Sequence, residues 1–553
     1  MSKLDVETLK RDSGGLRGTI PDELALAADH FSEGAASLLK FHGVYQQDDR
    51  DARRSARAAG GGKSYGFMVR TKNPGGFLPA RFYIAVDDLA DRFGNGTIRV
   101  TTRGGLQLHG VPKANLRDVI AQINEHLGST LGACGDINRN VMAPPFPFAA
   151  APYAAAREAA RAIAELLTPR ATAYYEIWQD GEVVHGTAPQ EEPIYGKTFL
   201  PRKFKVAVAT PGDNSVDLYT NDLGVVPFVD REGTLLGYNL AVGGGLGMTH
   251  RQVATYPRLA DEFAFVGPDQ LLAAARAVVV VQRDYGDRVN RKHARLKYLI
   301  DDRGLDWFRA AVEAQAGFPL EPWRPLEPWK VPNFLGWHAQ GDGRWFYGLN
   351  ILSGRIENAN GAEVKRALQE IVARTGRNLV ATPNQNILIV DVDERERSVI
   401  DDILARCGVA RAADVDPFEE SALACPALPT CGLSLAEAER ALPSLLGELR
   451  AAWSAAGLAG RAPVIRMTGC PNGCARPYLG EVGFVGVSAD RYNVYVGGNA
   501  ASTRLNVLFR EKVERPQLAP TLAPLFRAYA RERLADETFG DYCVRARVEK
   551  IAS

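Results

Sequence analysis

The stretch Thr97-Ile-Arg-Val-Thr-Thr-Arg-Gly-Gly-Leu-Gln-Leu-His-Gly-Val111 reads as strand, turn and strand, and residues 116–127 follow with helical spacing that ends at Gly128. Slid along the chain, residues 97–128 fall without a gap on residues 377–408. Val100 meets Val380, Thr102 meets Thr382, Leu108 meets Leu388, Arg117 meets Arg397, Ile123 meets Ile403 and Gly128 meets Gly408. Self-similarity at a fixed separation marks a repeated architecture. A second pair recurs in the same order. Residues 206–214 (Val-Ala-Val-Ala-Thr-Pro-Gly-Asp-Asn) are similar to 464–472 (Val-Ile-Arg-Met-Thr-Gly-Cys-Pro-Asn), and Tyr238-Asn-Leu-Ala-Val-Gly-Gly to Tyr492-Asn-Val-Tyr-Val-Gly-Gly. The expected fold is α+β and internally duplicated about a pseudo-two-fold, with two small and two larger α+β units around a central cavity. Interfaces of that kind favour ligand sites.

Outward from the repeats, the chain divides into an N-terminal arm (1–63), a first small unit (64–134), a first large unit (135–318), a proline-rich linker (319–332), a second small unit (333–412) and a second large unit (413–553). The arm reads as helical and polar, ending in a flexible link over 48–63. Residues 80–94 start extended and become a helix, 268–282 and 434–457 are helical, and 288–297 form a basic, solvated helix face. Cys407 ends a helix, and Cys543 sits in an apolar terminal strand.

At 553 residues the chain exceeds one simple core. Apolar residues make up 46% and charged residues 24%, with a formal net charge of +1. No global field favours nucleic acid or an anionic membrane, so any anion site is local. No run of about 18 apolar residues occurs. The start, Met1-Ser-Lys-Leu-Asp-Val-Glu, has no apolar signal region, so the default expectation is a cytoplasmic protein. Monomer is the expected state for a chain that already contains its own pseudo-dimer.

Seven cysteines are too few and too uneven for a secreted disulfide framework, and four of them fall in two clusters, Cys425-Pro-Ala-Leu-Pro-Thr-Cys431 and Cys470-Pro-Asn-Gly-Cys474. Thiolates are soft ligands for iron–sulfur clusters or zinc. The five-residue spacing between Cys425 and Cys431 fits common zinc pairs less well, but spacing alone leaves both metals open. Leu200-Pro-Arg-Lys-Phe-Lys205 places Lys203 and Lys205 on one face of an extended segment. Two ammonium groups on one face repel unless solvated or facing an anion. Arg70, Arg103 and Arg139 sit at or after strand ends. The glycine clusters at 243–247 and 497–498 lack the pattern and context of a dinucleotide site, so electrons for any redox reaction must come from another polypeptide.

The two cysteine clusters, with Thr468-Gly-Cys-Pro-Asn-Gly-Cys-Ala-Arg-Pro-Tyr478, Asp136-Ile-Asn-Arg139, Leu200-Pro-Arg-Lys-Phe-Lys205 and Arg99-Val-Thr-Thr-Arg103, resemble the sulfite/nitrite reductase haemoprotein family over about residues 38–546. The resemblance implies small units of ferredoxin-like form and a sirohaem coupled to a [4Fe–4S] cluster. It implies that Cys425, Cys431, Cys470 and Cys474 hold the cluster, with Cys474 bridging to the sirohaem iron. Arg70, Arg139, Lys203 and Lys205 match its anion-binding and proton-supplying set. Arg99, Thr101, Arg103, Gln107, His109 and Asn472 match positions that contact sirohaem. Lysine at 205 favours sulfite over nitrite. Tyr195-Gly-Lys-Thr-Phe-Leu-Pro-Arg-Lys and Pro211-Gly-Asp-Asn-Ser-Val-Asp look like the ferredoxin-dependent class rather than the haemoprotein fed by an NADPH flavoprotein. In some relatives a cysteine at the place of Cys134 is covalently linked to a tyrosine, and Tyr45 is the candidate partner.

Overall fold

Ile98–Val100 and Leu106–Val111 pair antiparallel, Ile98 opposite Leu108 and Val100 opposite Leu106, because all four side chains leave water together. Thr101 N donates to Gly105 O at 2.8 Å, and Gly104 turns at φ +68. Leu379–Ala381 and Ile387–Val392 repeat the hairpin with Gln385 at φ +68 in the place of Gly104. These features come from a computed structural model that describes residues 5–58, 60–170, 176–179, 182–186 and 192–548.

The duplication is present, but its register is one residue out of step with the sequence match. Thr382 N donates to Asn386 O, so Thr382 matches Thr101 rather than Thr102, and Gly408 matches Leu127, both at positive φ. In the larger units, Val206 faces Leu223 while Ile465 faces Val482, so Val206 matches Ile465 rather than Val464. A slip of one residue exchanges the two faces of a strand. Turn hydrogen bonds and positive-φ positions fix the true register, and neither is visible as residue identity.

The first small sheet runs Val44–Asp48, Tyr65–Arg70, Leu106–Val111, Ile98–Val100, Arg355–Ile356. The second runs Gly336–Ala339, Trp345–Leu349, Ile387–Val392, Leu379–Ala381, Phe77–Leu78. Each half therefore lends a two-residue edge strand to the other half's sheet, which covers an edge that would otherwise be exposed. One core joins the two sheets through Val69, Leu89, Ile98, Leu368, Ile371 and Ile389. The larger sheets run Asp261–Val266, Leu235–Val242, Leu223–Val229, Val206–Val208 and Leu423–Ala424, Ile465–Thr468, Val482–Ser488, Arg491–Val496, Val507–Glu514. Helices Ala151–Leu166 and Leu271–Tyr285 cover the former, and Leu442–Ala455 and Leu518–Glu532 the latter.

Several local expectations are corrected. The arm contains the strand Val44–Asp48, and the segment expected as a flexible link forms the helix Arg50–Ala58, with Ala59 outside the described residues. Residues 80–94 are helical from Ala80, whereas the helix expected from residue 434 begins at Leu442. Cys543 lies in the helix Phe539–Arg545, where Thr538 Oγ1 caps the first turn by accepting from Asp541 N. The basic stretch is solvated only in its first part: Val289, Asn290 and Lys292 are exposed, whereas Arg295 is 7% and Lys297 0% exposed. The linker residues Trp323, Leu326 and Trp329 pack against a buried cluster. Among the described residues no helix is long and apolar enough to cross a membrane.

The halves meet at a buried ion cluster. Asp217 and Arg476 occupy equivalent places, each at positive φ before a single helical turn, and their side chains pair with each other. Arg466 Nη1 donates to the same Asp217 oxygen at 2.8 Å. Arg476 also donates to Thr102 O at 2.9 Å and Pro383 O at 2.8 Å, which are equivalent positions in the two hairpin turns. Burial pushes Asp217 up, but Arg466 and Arg476 outweigh it and hold its carboxyl below the usual carboxylate range. Asp217→Asn leaves two buried guanidinium groups without a countercharge. The expected loss is about 3–5 kcal/mol, read as a lower chemical-unfolding midpoint, and an unchanged midpoint would refute this account.

Candidate active site

Cys425 follows Leu423–Ala424, and Cys470 and Cys474 follow Ile465–Thr468, two parallel neighbours in one sheet. Their strand ends bring the two sequence clusters together. Gly469 N donates to Cys425 Sγ at 3.4 Å, Asn472 Nδ2 to Cys470 Sγ at 3.4 Å, and the backbone N–H groups of Leu433 and Ser434 to the Cys431 thiol. Burial, followed by the charge of Cys474, raises Cys425 well above its ordinary value and Cys470 to about 11. Such thiols become thiolates only with a cation among them. Among the described residues no three His, Cys, Asp or Glu side chains converge as a single metal ion requires.

Cys474 faces a small cavity of about 30 Å³ with Arg103, Lys203, Lys205, Arg295 and Asn472 on its walls. A second cavity of about 330 Å³ adjoins it through Lys203, Gly247, Arg295 and Asn472. No carboxylate lines either, among the described residues. Phe204 is in the core, so alternation points Lys203 and Lys205 to the other face. Burial, then Arg202, Arg295 and Arg139, lowers Lys203 to about 7. Burial, then Arg103 and Lys203, takes Lys205 well below the ordinary lysine value. Asp222, fully buried, accepts from Lys205 N at 2.9 Å and from Arg295 at 3.0 and 2.7 Å, so it fixes both strand and arginine.

Arg103 donates to Asn140 O at 2.7 Å, Val206 O at 2.8 Å and Asn221 Oδ1 at 2.8 Å, and burial lowers it to about 9. Arg70 donates to Cys134 Sγ at 3.0 Å, and it accompanies Tyr45, whose ring centroid is 5.8 Å away and whose hydroxyl bonds Cys134. In the amide orientation that satisfies both side chains, Gln107 Oε1 accepts from Arg70 Nη2 at 2.6 Å. Arg139 Nε donates to Gly135 O at 2.9 Å. His109 is buried with both ring nitrogens unpartnered, and burial, then Arg355 and Arg99, lowers it far below its ordinary value. A neutral imidazole with two free nitrogens inside the protein calls for a polar ligand.

Not every expected residue lines the cavities. Arg99 pairs with Glu439 at 2.9 Å and donates to Ala424 O at 2.8 Å, holding the residue next to Cys425. Thr101 Oγ1 accepts from Gly105 N at 3.1 Å and caps its own turn. Arg70, Gln107, His109 and Arg139 line neither of these two cavities. Sequence reading missed Asp222, Arg295 and Arg476. Arg295 lay within the noted basic stretch, and only its burial separates it from a surface arginine.

Comparison with known proteins agrees with this geometry. The family pattern described as "Nitrite and sulphite reductase 4Fe-4S domain" matches residues 158–320, and the "Nitrite/Sulfite reductase ferredoxin-like half domain" matches 60–126 and 338–407. The "Sulfite reductase [ferredoxin]" of Synechococcus elongatus is 47% identical, covering 98% of this chain and 89% of the relative. The "Sulfite reductase [NADPH] hemoprotein beta-component" of Myxococcus xanthus is 45% identical, covering 98% and 96%. The solved structure of Mycobacterium tuberculosis NirA superposes with a TM-score of 0.77 at 23% identity, covering 98% and 96%, and shares the fold. The zinc reading is thereby set aside: the protein carries a [4Fe–4S] cluster and sirohaem, which suit the thiol quartet, the acid-free cavities and the unpartnered His109. The chain belongs to the nitrite and sulfite reductase family.

Proposed function

We propose that the protein is an assimilatory sulfite reductase that takes electrons from reduced ferredoxin. The observation that carries this reading is the pair Lys203 and Lys205 on one wall of an acid-free cavity that Cys474 also lines. Cys425, Cys431, Cys470 and Cys474 would hold the cluster, and Cys474, which lines the cavity, would also be shared with the sirohaem. The bound cofactors supply an iron that takes the sulfur lone pair and an adjacent electron store.

The chain's own residues do the rest. Lys203, Lys205, Arg70 and Arg139 attract the anion and favour charge developing on its oxygens. Conversion of hydrogensulfite to hydrosulfide and three waters takes up six electrons and six protons. Lys203, lowered to about 7, is suited to donate protons near neutrality. Arg103, His109, Asn472 and Gln107 surround the sirohaem and its carboxylates, while Arg99 and Thr101 act by holding the neighbouring strand end and turn. In this reading the protein is a cytoplasmic monomer.

Ferredoxin is favoured by the stretches at 195–203 and 211–217, although relatives of both donor classes stand at 47% and 45% identity. An NADPH flavoprotein donor, or reduction of nitrite to ammonia, are the competing readings. Turnover of sulfite and nitrite by the holoenzyme, with each donor in turn, decides among them. A faster rate with nitrite, or with the flavoprotein, would replace the corresponding part of the proposal.

Lys205→Asn is expected to lower kcat/KM for sulfite about 100-fold at wild-type iron and sirohaem content. Cofactor loss instead would make Lys205 structural. Lys203 is protonated below its folded pKa, so kcat should fall as pH rises through about 7, and Lys203→Gln should remove that limb. Cys134 is a free thiol hydrogen-bonded to the Tyr45 hydroxyl; a thioether between them, formed by a two-electron oxidation, would give a peptide pair two hydrogens lighter than the separate peptides by mass spectrometry, and unlinked peptides would refute it.

A further inference from the structure

The segment leading into the lysine strand is held in an unusual way. Phe199 sits at φ +54, a left-handed conformation that a bulky side chain adopts only when its surroundings impose it. The three carbonyl oxygens from Phe199 to Pro201 each face a cation. Arg288 Nη2 donates to Phe199 O at 2.7 Å, Lys10 Nζ to Leu200 O at 2.9 Å and Arg291 Nη1 to Pro201 O at 3.4 Å.

One carboxylate gathers these cations. Glu7 lies on the N-terminal helix Val6–Asp12 and meets Lys10 at 2.6 Å, Arg288 at 2.5 Å and Arg291 at 3.4 Å. Asp136 stands on the opposite side, 2.6 Å from Arg291 and 3.7 Å from both Lys10 and Arg202, and its own carbonyl accepts from Leu200 N at 3.1 Å. Lys10 is fully buried although it lies near the start of the chain. Burying an ammonium is costly unless it is paired and hydrogen-bonded, and this one is both.

We propose that Glu7 and Lys10 of the N-terminal helix form, with Arg288 and Arg291, a clamp that fixes residues 199–201 and so aims Lys203 and Lys205 into the cavity. The inference rests on the reading of those lysines as substrate-facing. Glu7 and Lys10 touch neither substrate nor cofactor and are positioning residues. The helix Val6–Asp12 is then a working part of the substrate site, although it lies outside the matched family segments.

The test uses the full-length holoenzyme with Glu7→Gln, Lys10→Met and, as a reference, Lys203→Gln. Glu7→Gln keeps the shape of the residue, whose side chain is 19% exposed, and removes only the charge that gathers the cations, so it remains informative if Lys10→Met fails to fold. The clamp predicts about a tenfold loss of kcat per cofactor-loaded chain in Glu7→Gln, with wild-type iron content and visible spectrum. It also predicts faster amide hydrogen exchange confined to the peptide spanning 199–205. Wild-type kcat and exchange in Glu7→Gln, with kcat lowered in Lys203→Gln, would overturn the clamp alone. Full activity in Lys203→Gln would overturn the reading of the lysines and the clamp with it.

Discussion

The pairing of Asp217 with Arg476 is the constraint on which the remaining arrangement depends. The two residues are counterparts in the two halves, so their bond lies where the halves meet. Arg476 also grips Thr102 O and Pro383 O, one carbonyl from each hairpin turn. Cys474 lies two residues before it, and Thr102 Oγ1 donates to Cys474 O at 3.0 Å. The thiol that faces the cavity is thus tied by both its neighbours and its own carbonyl to the centre of the pseudo-dimer. Arg466 supplies the second positive charge, and with it the buried carboxylate stays ionised.

A second system of buried charge joins the cluster loop to the small units. Arg99 and Arg355 are directly opposite on neighbouring strands, a placement that would repel. Glu439 accepts from both, at 2.9 and 2.6 Å, and its N–H donates to Cys425 O at 3.1 Å. One carboxylate thereby closes the strand exchange and anchors the first cysteine pair. The protein as a whole is almost neutral, yet its cavities are lined by cations because the acids are drawn behind the walls: Asp222 behind Lys205, Asp136 behind Arg202, Glu439 behind the cluster loop.

Much of this was legible in the chain. The duplication showed in strand–turn–helix order, since hydrophobic spacing survives when identity does not. Its register did not, because Gln385 and Gly104 share a dihedral angle rather than a chemistry. The thiol quartet was visible from clustering alone, and the lysine pair from alternation, while their roles came from resemblance. Asp222, Arg295 and Glu7 were invisible for one reason. An ionisable residue reads as surface until its partner, here 73 residues from Arg295 to Asp222 and 281 from Glu7 to Arg288, is brought beside it. Cys543 lies in a helix rather than a strand because a segment of only seven residues suits either equally.

The reciprocal loan of Phe77–Leu78 and Arg355–Ile356 has a consequence for ancestry and assembly. Two identical chains that swapped edge strands would form a closed dimer whose stability depended on their concentration. Joining them end to end makes that encounter intramolecular, at an effective concentration set by the connecting segment. Dilution no longer separates the partners, and each copy is free to diverge without its twin changing in step. A symmetric dimer has to carry paired thiol sets and paired lysine strands, whereas the fused chain holds one of each, facing the other across a single cavity.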